Sequence, residues 1–170
     1  RTVKLVNGDN HIISGNIIYS GEGSLSLSDV TNCLVNNNLL YSSGAGGSLH
    51  VEYSDNNIFE NNTLDDSTYG LYISASNHNI IRNNTVISQY TNCYTCTYYA
   101  AIRIESSHNN TIIANNLTLS EKGIRIGGSA SRDNTIIDNS ISDNNFGIHF
   151  YANADYNKVE GNVIKDSTNY

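Results

Sequence analysis

Hydrophobic and polar residues follow a pattern of eight residues that returns seven times along the chain. In every copy the third and eighth residues are apolar and the sixth is asparagine, at intervals of 22 to 31 residues. A repeat of this length is one supersecondary unit, too small to bury its own apolar face, so the copies must stack into a solenoid. The asparagines are Asn16, Asn38, Asn62, Asn84, Asn115, Asn139 and Asn162.

A second pattern, apolar-polar-apolar, precedes most of the octads by eight to ten residues. This period of two places two side chains inside and one outside a short strand, and β-branched residues and asparagine disfavour helix. We therefore predict an all-β chain with at least two strands per coil. The specific prediction is a right-handed parallel β-helix solenoid of about seven coils, in one domain over residues 1–170, with one loop insertion near residues 87–100.

The sixth-position asparagine lies between two inward-facing apolar positions, where the chain has to bend. Asparagine tolerates a left-handed backbone, and identical amides one coil apart, about 4.8 Å, can hydrogen-bond as a ladder. We interpret these asparagines as scaffold. The third octad position should form a stack inside the solenoid, namely Ile13, Val35, Phe59, Ile81, Ile112, Ile136 and Val159.

Composition favours a rigid protein outside the cytoplasm. No segment approaches the roughly 18 apolar residues of a membrane span, and the absence of an initiator methionine before Arg1 indicates a processed or excerpted chain. A net charge of −7 with nine Lys and Arg residues argues against nucleic-acid binding. No cofactor is expected. Four Asn-x-Thr triplets offer glycosylation candidates in a secreted protein, at Asn61, Asn83, Asn109 and Asn116.

The insertion carries two of the three cysteines, Cys93 and Cys96. A disulfide between them that closes the loop is our prediction, with free thiols as the alternative. A metal site is disfavoured, because zinc takes four ligands and Cys33 lies two coils away. The same region holds Tyr90, Tyr94, Tyr98 and Tyr99, which either form a contact surface for a sugar or protein or shield the coil beneath them.

The middle residues of the second pattern should form an outward-facing column. It contains Lys4, Ser26, His50, Tyr72, Arg103, Arg125 and His149. Arg103 and Arg125 should lie one coil apart and repel each other unless an anion lies between them. Either Glu105 and Glu52 supply that charge in a salt-bridged face, or the column binds an acidic glycan through the four ligand-binding candidates. These are Tyr72, Arg103, Arg125 and His149.

The octads and the strands Gly123-Ile124-Arg125-Ile126 and Gly147-Ile148-His149-Phe150 resemble the repeat of NosD-like proteins, of carbohydrate-binding and sugar-hydrolase modules, and of asparagine-rich surface proteins. The resemblance covers essentially the whole chain and implies the parallel β-helix fold. Lyases and epimerases of this fold use a cation, an acid and often His or Tyr on an outward strand face. If the protein were an enzyme, the resemblance would therefore point to Arg103, Arg125, Tyr72 and Glu105. The chain has no proline, and hence no epimerase-type Asp-Pro-His motif.

We therefore predict a non-enzymatic extracellular structural or adhesive surface protein. A second copy stacked below would place its Val3 eleven positions after Asn162, the separation that links Asn38 to Leu49. This register indicates head-to-tail self-association into a filament, or a segment of a longer surface solenoid. The alternatives are a polysaccharide lyase or epimerase acting on acidic glycans, and a non-catalytic glycan-binding module.

Overall fold

Each turn of the chain contributes three short strands, and strands of successive turns pair in parallel. The computed structural model describes residues 2–42, 47–65, 68–88 and 98–167. In these parts of the chain there is no helix, and three seven-stranded parallel sheets, A, B and C, surround one apolar interior. The chain makes six turns between the first and the last strand of sheet A, which confirms the predicted parallel β-helix solenoid.

Sheet A is built from the apolar-polar-apolar pattern and contains the longest strands. Its strands, in spatial order, are β1 (Val3–Asp9), β4 (Leu25–Thr31), β7 (Leu49–Glu52), β10 (Tyr69–Ser74), β13 (Ala100–Glu105), β16 (Lys122–Gly127) and β19 (Phe146–Phe150).

Each octad forms two strands in two different sheets, because the chain bends at its fifth and sixth residues. The first halves form sheet B, with β2 (Ile12–Ser14), β5 (Leu34–Asn36), β8 (Ile58–Glu60), β11 (Ile80–Arg82), β14 (Thr111–Ile113), β17 (Thr135–Ile137) and β20 (Lys158–Glu160). The second halves form sheet C, with β3 (Ile17–Ser20), β6 (Leu39–Ser42), β9 (Thr63–Asp65), β12 (Thr85–Ile87), β15 (Asn116–Thr118), β18 (Ser140–Ser142) and β21 (Val163–Lys165).

The third octad residues form one continuous column in the register of sheet B, as predicted. The five middle members, from Val35 to Ile136, are fully buried. Val159, in the last described coil, is 47% exposed, because only one neighbouring coil covers it. A one-residue slip would have turned this column outward, so burial fixes the register.

The sixth-position asparagines form the predicted ladder. Asn84 is representative: its Nδ2 donates to Asn115 Oδ1 at 3.0 Å and to the Phe59 carbonyl at 2.9 Å, and its Oδ1 accepts from Asn62. The expectation of a left-handed backbone at the asparagine itself is wrong. The preceding residue adopts it, with φ of 54° at Asn61 and 55° at Asn83. The sixth residue is thereby free to direct its amide inward.

A second set of side-chain ladders was not predicted. Asparagines at the first octad position donate to one another in the same way, and serines bond successive coils at the preceding bend. The second asparagine ladder contains Asn57, Asn79, Asn110, Asn134 and Asn157, and the serine ladder contains Ser54, Ser76, Ser107 and Ser131. Asparagine in five of the seven first positions was the available signal.

The coils on either side of the insertion keep their register, as predicted. Tyr69 pairs with Ala100 in sheet A, and Thr85 pairs with Asn116 in sheet C. The predicted disulfide between Cys93 and Cys96, together with Tyr90 and Tyr94, lies outside the described residues. Cys33 is a buried free thiol. No helix in the described part of the chain is long and apolar enough to cross a membrane.

Candidate ligand-binding face

The outer face of sheet A carries the predicted polar and aromatic column in register. Tyr72 pairs with Arg103, Arg103 with Arg125, and Arg125 with His149. The four ligand-binding candidates therefore occupy equivalent positions on four successive strands, β10 to β19. Parallel pairing spaces these strands by about 4.8 Å, so side chains on neighbouring strands contact each other.

Glu105 is the counterion between the two arginines. Its Oε1 lies 2.6 Å from Arg103 Nη2 and 2.5 Å from Arg125 Nη1, and Tyr72 donates its hydroxyl to Oε2 at 3.2 Å. Burial alone would raise the pKa of Glu105, but the hydrogen bonds from the two guanidiniums outweigh it and hold that pKa below its ordinary value. Glu52 lies near His50 instead, with 3.8 Å between Oε2 and Nε2.

Tyrosine rings cover both guanidiniums. The Arg103 guanidinium carbon lies 4.7 Å from the Tyr72 ring centroid and 5.1 Å from that of Tyr98. The Arg125 guanidinium carbon lies 5.4 Å from the Tyr98 centroid and 5.0 Å from that of Tyr151. These distances fit cation–π contacts. Arg125 is only 2% exposed as a result, so the expectation of a fully solvent-facing column is wrong at this residue.

The last two tyrosines of the insertion region, Tyr98 and Tyr99, pack on sheet A. Tyr98 covers the arginines, and the Tyr99 ring meets Tyr69 edge-on at 5.6 Å. Both contacts support the shielding role for these two residues. Tyr98 is nevertheless 53% exposed, so the outer surface of its ring stays accessible to a ligand.

Lys122 belongs to the same face, although the sequence analysis missed it. Its Nζ lies 5.4 Å from the Phe146 ring centroid and 3.9 Å from Glu121 Oε1, and the residue is 5% exposed. Burial lowers the pKa of Lys122. The negative charge of Glu121 opposes this decrease, and the positive charge of Arg125 adds to it. The available signal was a lysine directly before the glycine of a sheet A strand, in Lys122-Gly123-Ile124-Arg125-Ile126.

The two histidines of the column are in environments that favour their neutral forms. Burial lowers the pKa of His149, and the positive charges of Lys122 and Arg125 lower it further. Burial also lowers the pKa of His50, against the opposing effect of Glu52. His149 Nδ1 is buried without a hydrogen-bond partner, as are Arg103 Nε and Arg125 Nε.

This arrangement offers donors rather than a base. Glu105 accepts from two guanidiniums and a hydroxyl, and its lowered pKa makes it a weak proton acceptor. Burial raises the pKa of Tyr72, so its hydroxyl stays protonated near neutral pH. The four residues implied for an enzyme, Arg103, Arg125, Tyr72 and Glu105, therefore lie together as a hydrogen-bonded ion-pair network that suits anion binding.

The glycosylation candidates lie on the surface. Asn61, Asn83, Asn109 and Asn116 are all exposed, whereas the ladder asparagines next to them are buried. Glycosylation at these four positions stays a prediction.

Comparisons with known structures and protein families cover nearly the whole chain. The A-module of the mannuronan C-5 epimerase AlgE6 from Azotobacter vinelandii is a similar solved structure, with a TM-score of 0.49 and 14% sequence identity. The alignment covers 96% of this chain and 56% of that one, so the chain spans little more than half of its length. A search of curated proteins gave no match. A family model described as "Periplasmic copper-binding protein (NosD)" matches residues 1–170, and the chain therefore belongs to the NosD family.

Proposed function

We propose that this protein is a non-catalytic adhesive module, located outside the cytoplasm, that binds acidic glycans along the outer face of sheet A. The observation that carries this proposal is the run of aromatic rings and cations on adjacent strands from β7 to β19. Sugars present apolar ring faces and polar edges, and tyrosine rings packed on guanidiniums offer partners for both. The regular spacing of the strands favours a polymer over a single small molecule.

The family supports the location. Its description names the periplasm, and this agrees with the extracellular or cell-surface location expected from composition. A rigid solenoid whose polar side-chain ladders are satisfied internally suits an exposed environment.

Copper does not enter the proposal, although the family description names it. Among the described residues, no group of three or more His, Cys, Asp or Glu side chains could hold a metal ion. The His78 and His108 rings come together at 6.2 Å between centroids, but two imidazoles make an incomplete ligand set. The chain also has no methionine, a ligand that copper often takes.

Polyuronate binding by a double variant tests the proposed function. We expect the wild type to bind oligomers of galacturonate or mannuronate, with an affinity that falls as salt rises. Arg103→Ala combined with Arg125→Ala should weaken binding at least about tenfold, since each guanidinium–carboxylate hydrogen bond contributes about 1.5–3 kcal/mol. Arg82→Ala is the matched control, because Arg82 pairs with Glu60 on sheet B, away from this face.

Two results would contradict the proposal. Unchanged binding in the double variant, with the same thermal unfolding as the wild type, would show that the face is not the binding site. Because Arg125 is buried and its loss can impair folding, Tyr151→Ala provides a second variant on the same face, where Tyr151 is 55% exposed. Release of unsaturated, ultraviolet-absorbing sugars by the wild type would support the lyase alternative instead.

A structural role is the second candidate function, and the outermost coils favour it. Apolar side chains are exposed on the first coil, including Val6 at 50% and Ile12 at 73%, and on the last, including Val163 at 48%. The two ends of the asparagine ladder are also complementary. Asn16 Oδ1 can accept a hydrogen bond at one end, and the Asn162 side-chain amide can donate one at the other. Further β-helical coils, from the same polypeptide or from a second copy stacked head to tail, would continue both features.

Sedimentation velocity distinguishes these two sources of coils. If copies stack, the 170-residue chain should associate with rising concentration, and Val159→Asp should abolish this by placing a charge in the interior column at the open edge. Lys158→Ala, at the outward-facing neighbour, is the control. A chain that stays monomeric at millimolar concentration would contradict stacking of copies.

A further inference from the structure

The cationic cluster of sheet A contains more positive than negative charge. Lys122, Arg103 and Arg125 contribute three positive charges, and their ion-pair partners Glu105 and Glu121 contribute two negative ones. The lowered pKa of His149, on the next strand, keeps its imidazole neutral near pH 7. Residues 89–97 contain no charged residue, so that segment brings no compensating carboxylate. One positive charge is therefore left over, in a chain whose net charge is −7.

Other ion pairs of lysine and arginine in the described residues are balanced one to one. Arg82 pairs with Glu60, Lys158 with Glu160, and Arg132 with Asp133. Those pairs are also much more exposed: the Lys158 side chain is 63% exposed, whereas that of Lys122 is 6% exposed. A buried charge without a counterion is costly, so the excess charge of this cluster calls for an anion from outside the chain.

Unused donors lie beside this excess charge. Arg125 is 98% buried, yet its Nε has no hydrogen-bond partner. On the next strand, the buried His149 Nδ1 also lacks a hydrogen-bond partner. Lys122 Nζ is 3.9 Å from Glu121, a distance at which the ammonium keeps donors free for a second acceptor. Glu121 is held in place on its other oxygen by Asn145 Nδ2, at 2.5 Å.

We infer that Lys122, Arg125 and His149 form a subsite for one carboxylate group of a uronate residue in the bound glycan. This inference rests on the proposed function and makes it more specific, because it assigns the acidic group of the ligand to one place. The carboxylate replaces the missing counterion, and the neutral imidazole donates from Nδ1. Lys122 becomes the residue that determines preference for charged over neutral sugars.

Two tyrosines cover the subsite and control the access of a ligand to it. Tyr98 and Tyr151 cover Arg125 and are themselves more than half exposed, so rotating either ring disrupts little packing. A displaced ring can then pack against the apolar face of the sugar whose carboxylate contacts Arg125. The subsite thus opens by a side-chain movement and needs no change in the β-helix.

Calorimetric titration with charged and neutral forms of one glycan tests the subsite. The probes are a galacturonate oligomer and its fully methyl-esterified form, which keeps the sugar rings and lacks the negative charge; mannuronate oligomers replace them if galacturonate is not bound. The wild type should prefer the charged form by at least about tenfold, the effect of one charge-assisted hydrogen bond. Lys122→Gln should remove most of that preference, because it removes the charge that pairs with the carboxylate.

Two further variants keep the test decisive. Lys158→Gln makes the same change at an exposed lysine on sheet B and should keep the wild-type preference. Glu121→Gln retains an acceptor for Asn145 and removes the carboxylate that competes for Lys122. It should therefore increase the preference for the charged glycan. This variant tests the subsite even if Lys122→Gln folds poorly.

The outcomes distinguish a failure of the carboxylate subsite from a failure of glycan binding. Equal binding of both glycan forms by the wild type would overturn the carboxylate subsite and leave glycan binding intact. An unchanged preference for the charged form in a folded Lys122→Gln variant would have the same meaning. No binding of charged or neutral glycans would overturn the proposed function and the subsite with it.

Discussion

At the scale of single residues, the ladder asparagines join successive coils through buried side-chain hydrogen bonds. A buried amide without partners would destabilise the fold, yet an asparagine inside the ladder, such as Asn84, bonds the coils on both sides through donors and acceptors of its own. The preceding residue takes the left-handed conformation, and asparagine, aspartate, glycine or alanine fills it, as at Asn61, Asp138, Gly161 and Ala114. The fifth residue of the octad thus forms the bend, and the sixth forms the ladder.

Replacing one ladder amide should be strongly destabilising. Asn84→Ala would remove the donor to Phe59 O and Asn115 Oδ1 and leave the buried Asn62 amide without its acceptor. We expect the free energy of unfolding to fall by about 2–4 kcal/mol, measured by urea denaturation. Asn116→Ala is the matched control, because Asn116 is exposed on β15 and should change stability by less than about 0.5 kcal/mol.

At the scale of elements, the strands are only three to seven residues long, and the bends decide where each one lies. The bend from sheet C into sheet A brings the backbone close to the interior column of sheet C. Gly123 lies at the start of β16, where a side chain would meet both Ile141 and the Gly147 carbonyl. Packing between sheets therefore requires glycine here, independently of backbone conformation.

The Gly123→Ala variant measures that constraint. The added Cβ would overlap Ile141 Cγ2 and lie 2.7 Å from the Gly147 carbonyl oxygen, and the backbone atom cannot move aside cheaply. We expect a loss of about 1–3 kcal/mol in the free energy of unfolding. Gly21→Ala is the control, since nothing lies within 4 Å of its added Cβ and stability should be nearly unchanged.

At the scale of the whole molecule, the solenoid places its few cations unevenly. Three of nine lie in one cluster on sheet A, and the outer coils expose apolar surface at both ends. The same cluster makes stability depend on pH, because three of its titratable groups have pKa values below their ordinary ones.

Acid should destabilise the fold in two stages. His50 and His149 have pKa values lowered from 6.5, so the unfolded chain binds more protons as pH falls below about 6.5, and stability drops there. Glu105, with a pKa lowered from 4.5, adds a second loss below about 4.5. Urea denaturation at pH 7.5, 5.5 and 3.5 measures both.

The double variant His50→Gln with His149→Gln isolates the first stage. It should remove most of the decrease in stability between pH 7.5 and 5.5 and keep the decrease below 4.5. An unchanged decrease between pH 7.5 and 5.5 would show that other groups cause it.

The interior column and the sixth-position ladder could be predicted from the sequence, because each follows from a local pattern that recurs at the same octad position; the predicted count of about seven coils was close to the six turns observed. Val35 stacks on Phe59, and Arg103 on Arg125, wherever the repeat is in register. The same repeat placed Glu105 near both arginines.

The tertiary structure was needed to show that each octad is divided between two sheets and that tyrosines cover the arginine cluster. Lys122 contacts Phe146 as its register partner in sheet A, so the repeat already places these two residues together. Tyr98, in contrast, covers Arg125 from the insertion, where no repeat sets its position. The hydrophobic pattern does not constrain the direction of the Tyr98 side chain, because it lies on the outer face.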